Sequence, residues 1–245
     1  MKLLFLDTET APNTVFSWGL WDQRIAINQI IESSSVLCWS AKWQGEKEVM
    51  FDSVFHSSKK HMLKGIHKLL DGADVLVHYN GRKFDIPVLN REFLLHDMPP
   101  PAPSRQVDML QVARSRFRFQ SNKLDYVAQQ LGLGKKTSHE GFTLWIRCMD
   151  RDPKAWAKMK TYNIQDTVLL EKVYEKMLPW IPNHPNVNLY NDRPGCPRCG
   201  GHKLQARGTA KTIAGVYQRY QCTDCGSWAK GAKAIPGKPK LTGIH

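Results

Sequence analysis

No stretch of this 245-residue chain approaches the roughly 20 consecutive apolar residues that a membrane-spanning helix requires. Its opening has one Lys before a short apolar run that meets acids at once, which is not the order of an export signal. Both absences point to a cytoplasmic protein with no membrane partner. Acidic residues are scarce, 22 Asp and Glu against 35 Lys and Arg, for a formal charge of +13. Such an imbalance favours a polyanionic partner, most often nucleic acid. There is no internal repeat apart from two C-x-x-C pairs. Cysteine numbers only six, and without an export signal those pairs argue for metal rather than disulfides. Cys38 and Cys148 stand alone among apolar residues and read as small buried hydrophobes. The length suits one large domain, or one domain and a small module.

The positive charge is uneven. Ten of the Lys and Arg but only two of the acids fall between residues 183 and 245, an excess of eight cations in the last quarter. That quarter also holds Cys196-Pro-Arg-Cys199 and Cys222-Thr-Asp-Cys225. Four thiolates in two such knuckles are a tetrahedral zinc pattern, and the glycine after each second Cys suits a tight turn beneath a metal. Val216 to Cys222 alternates as a strand does. The segment therefore resembles a zinc ribbon, stabilised by one structural Zn²⁺ rather than by a core. Its cations, interleaved with Tyr217, Tyr220 and Trp228, suit phosphates and stacked bases. A protein-docking role for the ribbon is the alternative.

Ahead of the ribbon, short apolar runs alternate with helical periodicity. Val36–Trp43 and Glu48–Phe51 read as strands of a hairpin turning at Gln44-Gly45. Helical spacing covers 60–70, 85–95, 109–116, 124–131, 153–160 and 162–177, with strands expected at 74–78 and 106–108. Residues 19–35 have no clear period and read as an excursion, and residues 122–128 read as a structural segment. These elements make an α/β core over residues 1–178. A Pro- and Asn-rich linker spans 179–194, the ribbon 195–230, and a basic flexible tail 231–245.

The chain is organised around its first ten residues. Leu3–Leu6 has the character of a buried strand, and it runs into Asp7 and Glu9. Residues two apart on a strand face the same way, so these carboxylates project together and repel unless a divalent cation lies between them. Asp85 opens a predicted helix, where an anion is favoured. Tyr162 and Asp166 are four apart on another helix and share a face.

Phe5-Leu-Asp-Thr-Glu9, Asn80-x-x-x-Phe84-Asp85 and Tyr162-x-x-x-Asp166 resemble, in order, the three motifs of the DEDD superfamily of DnaQ-like 3′–5′ exonucleases. Tyr162 in place of His is similar to the DEDDy branch, and Val36–Val54, with Trp39 and Trp43, to the YprB-like members. The resemblance implies a ribonuclease-H-like mixed sheet flanked by helices, with the small β zinc ribbon appended. It implies two Mg²⁺ or Mn²⁺ ions held by Asp7, Glu9, Asp85 and Asp166. Asp7 would bridge both ions, Glu9 and Asp166 would serve the first, and Asp85 would act nearer the second. Tyr162 would orient the attacking water, because a phenol with a pKa near 10 is a poor base at neutral pH. Thr8, Thr10, Asn80 and Arg82 are candidate substrate contacts.

The expectation is thus a metal-dependent 3′–5′ exonuclease acting on single-stranded DNA ends, with the ribbon gripping nucleic acid. An RNA-trimming exonuclease is the alternative within the class. A binding or scaffold protein with a silent nuclease fold is the alternative outside it, and its sign would be a missing acid. No polymerase module is present, so proofreading would need a separate replication or repair partner.

Overall fold

The structure, a computed structural model, describes residues 1–137, 140–190 and 194–237. It divides into two compact units, one over residues 2–174 and the other from residue 175 onward. Among the described residues no helix is long and apolar enough to cross a membrane.

The first unit runs β1 (Leu3–Thr10), β2 (Thr14–Val15), β3 (Ile30–Glu32), β4 (Val36–Trp43), β5 (Met50–Ser53), α1 (Lys59–Asp71), β6 (Val75–His78), α2 (Asp85–Leu95), β7 (Arg105–Asp108), α3 (Met109–Arg116), α4 (Leu124–Gln130) and α5 (Phe142–Met149), and it takes in most of α6 (Pro153–Met177). Five strands form one sheet in the order β5-β4-β1-β6-β7. β1 is central, antiparallel to β4 and parallel to β6, and β7 continues the parallel side. A strand is apolar where it is paired on both edges and covered on both faces; Leu3, Leu4, Phe5 and Leu6 are all buried, and polar residues begin at Asp7.

The alternation of β1 assigns its side chains to two layers. Leu4 and Leu6 enter a core with Met62, Leu63, Ile66 and Leu70 of α1 and with Leu89 and Phe93 of α2. Phe5 points the other way and meets the edge of the Tyr174 ring on α6, with centroids 5.3 Å apart. The sheet thus lies between α1 and α2 on one face and α6 on the other. Polar contacts tie α6 to β4: Ser40 Oγ donates to the Asn163 carbonyl at 2.8 Å, and Lys42 is ion-paired with Glu171.

The 153–160 and 162–177 stretches, read from sequence as two helices, form one helix of 25 residues. Thr161 between them is no breaker, and its hydroxyl donates back to the Ala157 carbonyl at 3.1 Å. Pro153 takes the first helical position, where its missing N–H costs nothing, and Asp152 accepts from the Lys154 N–H at 2.8 Å. Helix α5 lies outside the stretches of helical spacing read from the sequence. In the excursion after β1, two residues of β2 pair with β3, and Phe16, Trp18, Leu20, Trp21 and Ile27 are exposed.

The second unit contains the antiparallel sheet β8 (Leu204–Thr212), β9 (Gly215–Cys222) and β10 (Trp228–Ala234), in the order β10-β9-β8. The third strand continues to Ala234, within the stretch read from composition as a tail. Residues 238–245 of that tail and 191–193 of the linker lie outside the described residues.

Candidate metal centre

The end of β1 brings Asp7 and Glu9 out on the α6 side of the sheet. Asp166 reaches them from α6, and carboxylate oxygens of the three residues all lie within 4.8 Å of one another. Asp85 comes from the opposite layer. It opens α2 and is held by Thr8, whose N–H and Oγ donate to Asp85 Oδ1 at 3.0 and 2.6 Å. Strand alternation explains the division: Thr8 faces α2 while its two acidic neighbours face α6.

Crowding and burial hold protons on this cluster. Burial, then the Glu9, Asp85 and Asp166 charges, raises Asp7 well above the ordinary carboxylate range. Burial and Asp166 push Glu9 up to about 8. Burial pushes Asp85 up to about 6, against the hydrogen bonds from Thr8. Burial also raises Asp166, against the pull of Lys136. Four carboxylates that cannot all ionise side by side form a set that a hard divalent cation relieves. The oxygen donors and their spacing therefore fit such a cation.

Three neighbours of the acids are not among the residues that the sequence motifs single out. Lys136, in the loop before α5, is ion-paired with Asp166 and donates to the Tyr162 hydroxyl at 3.3 Å. Its ammonium also lies 5.2 Å from the Tyr162 ring centroid. Asn163 Nδ2 donates to Asp7 Oδ2 at 2.6 Å, although 156 residues separate the two in sequence. The Trp145 side chain hydrogen-bonds Glu9, and its ring meets Tyr162 edge-on with centroids 6.0 Å apart. Asn163 had a usable signal, since it lies three residues before Asp166 on one helix. Burial, followed by the Asp166 and Glu9 charges, raises the Tyr162 phenol above its usual value.

The candidate substrate contacts fall in different settings. Thr8 is buried and its hydroxyl is committed to Asp85. Thr10 ends β1 half-buried, where the register with β4 shifts. Asn80 adopts φ 72 and donates its N–H to Asp108 Oδ1 at 2.9 Å, which shapes the turn leading to Asp85. Arg82 is exposed on that turn. A cavity of about 490 Å³ opens beside Asp7, lined in part by Tyr79, Arg114, Lys123, Asp125 and Lys136. Lys123 and Asp125, read from sequence as structural, thus border the site.

In the second unit Cys196, Cys199, Cys222 and Cys225 bring their sulfurs within 4.8 Å of one another. The Cys196–Cys225 and Cys199–Cys222 sulfur pairs are 3.7 and 3.8 Å apart. A tetrahedral ion with metal–sulfur bonds of about 2.3 Å needs sulfurs about 3.8 Å apart. Gly200 and Gly226, which follow the second Cys of each knuckle, adopt φ 76 and 80, the left-handed turn that glycine makes without strain. Burial opposes ionisation of Cys196, but hydrogen bonds led by Ser227 bring it down to about 7. A thiolate that forms near neutrality suits a metal ligand.

The sequence model of the RNase_H superfamily matches residues 4–178. No curated protein matches the chain. Among solved structures, the chain is similar to the family B DNA polymerase from the hyperthermophilic archaeon Pyrobaculum calidifontis, with a TM-score of 0.55 at 16% identity. That similarity covers 73% of this chain but 24% of the polymerase, so the chain spans about a quarter of its length. At this identity the likeness speaks to the fold.

Proposed function

The chain belongs to the RNase_H superfamily, and on that footing we propose that it is a metal-dependent 3′–5′ exonuclease of the DEDDy type, acting on single-stranded DNA ends. The observation that carries this reading is the meeting of Asp7, Glu9 and Asp166 oxygens within 4.8 Å, from sequence positions 7, 9 and 166. Asp85 stands behind them on Thr8. The acids would hold two ions of the Mg²⁺ or Mn²⁺ kind. Such ions, when bound, make hydroxide available at neutral pH and stabilise the departing 3′ oxygen.

The chain's own residues do the rest. Asn163 fixes Asp7 Oδ2 through its side-chain amide. Thr8 fixes Asp85 Oδ1 with its N–H and its hydroxyl. Tyr162, whose phenol stays protonated at neutral pH and so offers no base, positions a water through its hydroxyl. Lys136 neutralises Asp166, and with a divalent ion held by that carboxylate its ammonium would be available to a substrate phosphate. The cavity beside Asp7 gives the strand room, with Arg114 and Lys123 on its wall. The four cysteines would hold one structural Zn²⁺, making the second unit a zinc ribbon that aids nucleic-acid binding.

End-labelled DNA and RNA, single- and double-stranded, incubated with Mg²⁺ or Mn²⁺, test this reading. A ladder shortening from the 3′ end of single-stranded DNA is expected. A ladder on RNA alone would make the protein an RNA-trimming enzyme, and no product on any substrate would leave a binding protein on a silent nuclease fold.

A further inference from the structure

β8, β9 and β10 carry Arg207, Lys211, Arg219, Lys230 and Lys233 and not one acid. Strand alternation sorts their side chains onto two faces. On β9, Tyr217, Arg219 and Gln221 share one face, and Val216, Gln218 and Tyr220 the other. Cross-strand partners share a face, so Trp228, opposite Gln221, and Lys230, opposite Arg219, join the first. Lys211, opposite Val216, belongs to the second.

The first face places each cation against a ring. The Arg219 guanidinium lies 4.8 Å from the Trp228 ring centroid, and Lys230 Nζ lies 3.8 Å from that of Tyr217. Both pairs run diagonally across neighbouring strands. The two rings sit four residues apart along β9, about 13 Å at strand rise, with both cations between them. Trp228 is 48% exposed, and Arg219 and Lys230 are exposed. Among the described residues neither cation has a carboxylate partner, whereas Lys203 pairs with Asp224 at 3.5 Å. Arg219 gives its Nε to the Arg207 carbonyl at 2.9 Å, which leaves both terminal nitrogens of the fork for an anion.

We propose that this face of the sheet binds a single-stranded polynucleotide, with bases stacking at Trp228 and Tyr217 and phosphates meeting Arg219 and Lys230. The proposal deepens the reading of the chain as a nucleic-acid enzyme and rests on it for the class of partner. A duplex keeps its base faces stacked inside and offers the rings little; a single strand offers both rings and phosphates. Either cation can take a phosphate without breaking an ion pair. The chemistry is common to DNA and RNA single strands.

The test uses the full chain, zinc-loaded, carrying Asp166→Asn so that the probe survives. Fluorescence anisotropy is read with labelled oligothymidylate, oligouridylate and a DNA duplex over a salt series. Trp228→Ala should weaken single-strand binding roughly 5- to 100-fold with its salt slope kept. Lys230→Gln and Arg219→Gln should each lower the slope by about 0.7. Lys211→Gln, the same charge change on the opposite face, should lower it by less than half as much. Circular dichroism and zinc content confirm the fold of each variant, and Trp228→Phe, which keeps a ring, should recover most of the affinity. The two single-stranded probes tell which sugar is preferred; tight binding to either supports the proposal. It is overturned if Trp228→Ala binds as its parent does, if Lys211→Gln costs as much slope as Lys230→Gln, or if the duplex binds as tightly as both single strands. Digestion by the wild-type protein is scored separately: a digesting enzyme with an indifferent ribbon sinks this proposal alone, and a selective ribbon on an inert protein sinks the nuclease reading alone.

Discussion

Thr8 holds Asp85 through the sheet: a residue of the central strand donates both its N–H and its hydroxyl to one oxygen of a carboxylate 77 positions away. The contact couples the two layers, because Thr8 faces α2 while Asp7 and Glu9 face α6. Partners of this kind typically change metal affinity or activity 10- to 100-fold when removed. Thr8→Val keeps the volume and the N–H but loses the hydroxyl. Its metal-dependent rate should fall by about 10- to 100-fold, and Thr8→Ser should restore most of it. Initial rates at saturating and limiting Mn²⁺ check this, and an undiminished rate for Thr8→Val would show that the hydroxyl has no bearing on the site.

The raised carboxylates dictate a pH dependence with a definite sign. Glu9 titrates at about 8 and Asp85 at about 6 in the folded chain, against 4.5 and 3.8 ordinarily. The folded state therefore binds protons that the unfolded state has released. The stability these protons contribute is complete below about pH 4 and is lost as the pH climbs through 6 and then 8. Without an added divalent ion, the melting temperature should fall over that window. Mn²⁺ replaces the protons, so its stabilising effect should grow as pH rises. Melting curves at pH 6, 7 and 8.5, with and without Mn²⁺, read this directly; a Mn²⁺ effect that shrinks with pH contradicts it.

Lys136 is paired with Asp166, one of the acids assigned to the divalent ion, and its charge also acts on Asp7 and Glu9. In Lys136→Met the metal-free protein loses a charged hydrogen bond worth on the order of 1–3 kcal/mol. Its melting temperature should drop, and Mn²⁺ should raise it by more than in the wild type, because no ammonium competes. An identical Mn²⁺ shift in both proteins would show that Lys136 and the ion do not share a ligand.

The four cysteines predict one tightly bound zinc per chain. Cys196→Ser should lose it, and protease sensitivity should rise within 195–234 while the digestion pattern of 2–174 stays intact, because the folding of such a module depends on its metal. Elemental analysis and limited proteolysis give both answers. A full zinc complement in the Ser variant would rule out the four-sulfur site.

Much of the core was legible because its signals are local. The buried run before Asp7, the helical spacing of α1 and α2, and the four-residue offset of Tyr162 and Asp166 each follow from one periodicity. The start of α3 has an equally local cause: the Asp108 side chain accepts from the Leu110 N–H at 3.0 Å and caps the helix. What escaped depends on tertiary placement. Lys136 lies in a stretch of Gly, Lys, Thr and Ser without period, and nothing local says that it folds back onto α6. The single long α6 was divided because Lys158, Lys160 and Thr161 interrupt its apolar stripe, although none of them stops a helix. A hydroxyl beside two acids suggests a substrate contact at Thr8; its turn toward Asp85 follows from layer packing.

The account stands on Asp7, Glu9, Asp85 and Asp166 acting as one ion-binding unit. Its most direct test is Mn²⁺ titration by calorimetry of the wild type and of Asp7→Ala, alongside digestion of 5′-labelled single-stranded DNA. Two ions per nuclease unit are predicted for the wild type, with both binding and digestion lost in Asp7→Ala while the fold is kept. Digestion that survives in Asp7→Ala, or a wild type that binds no Mn²⁺ at these acids, would contradict it.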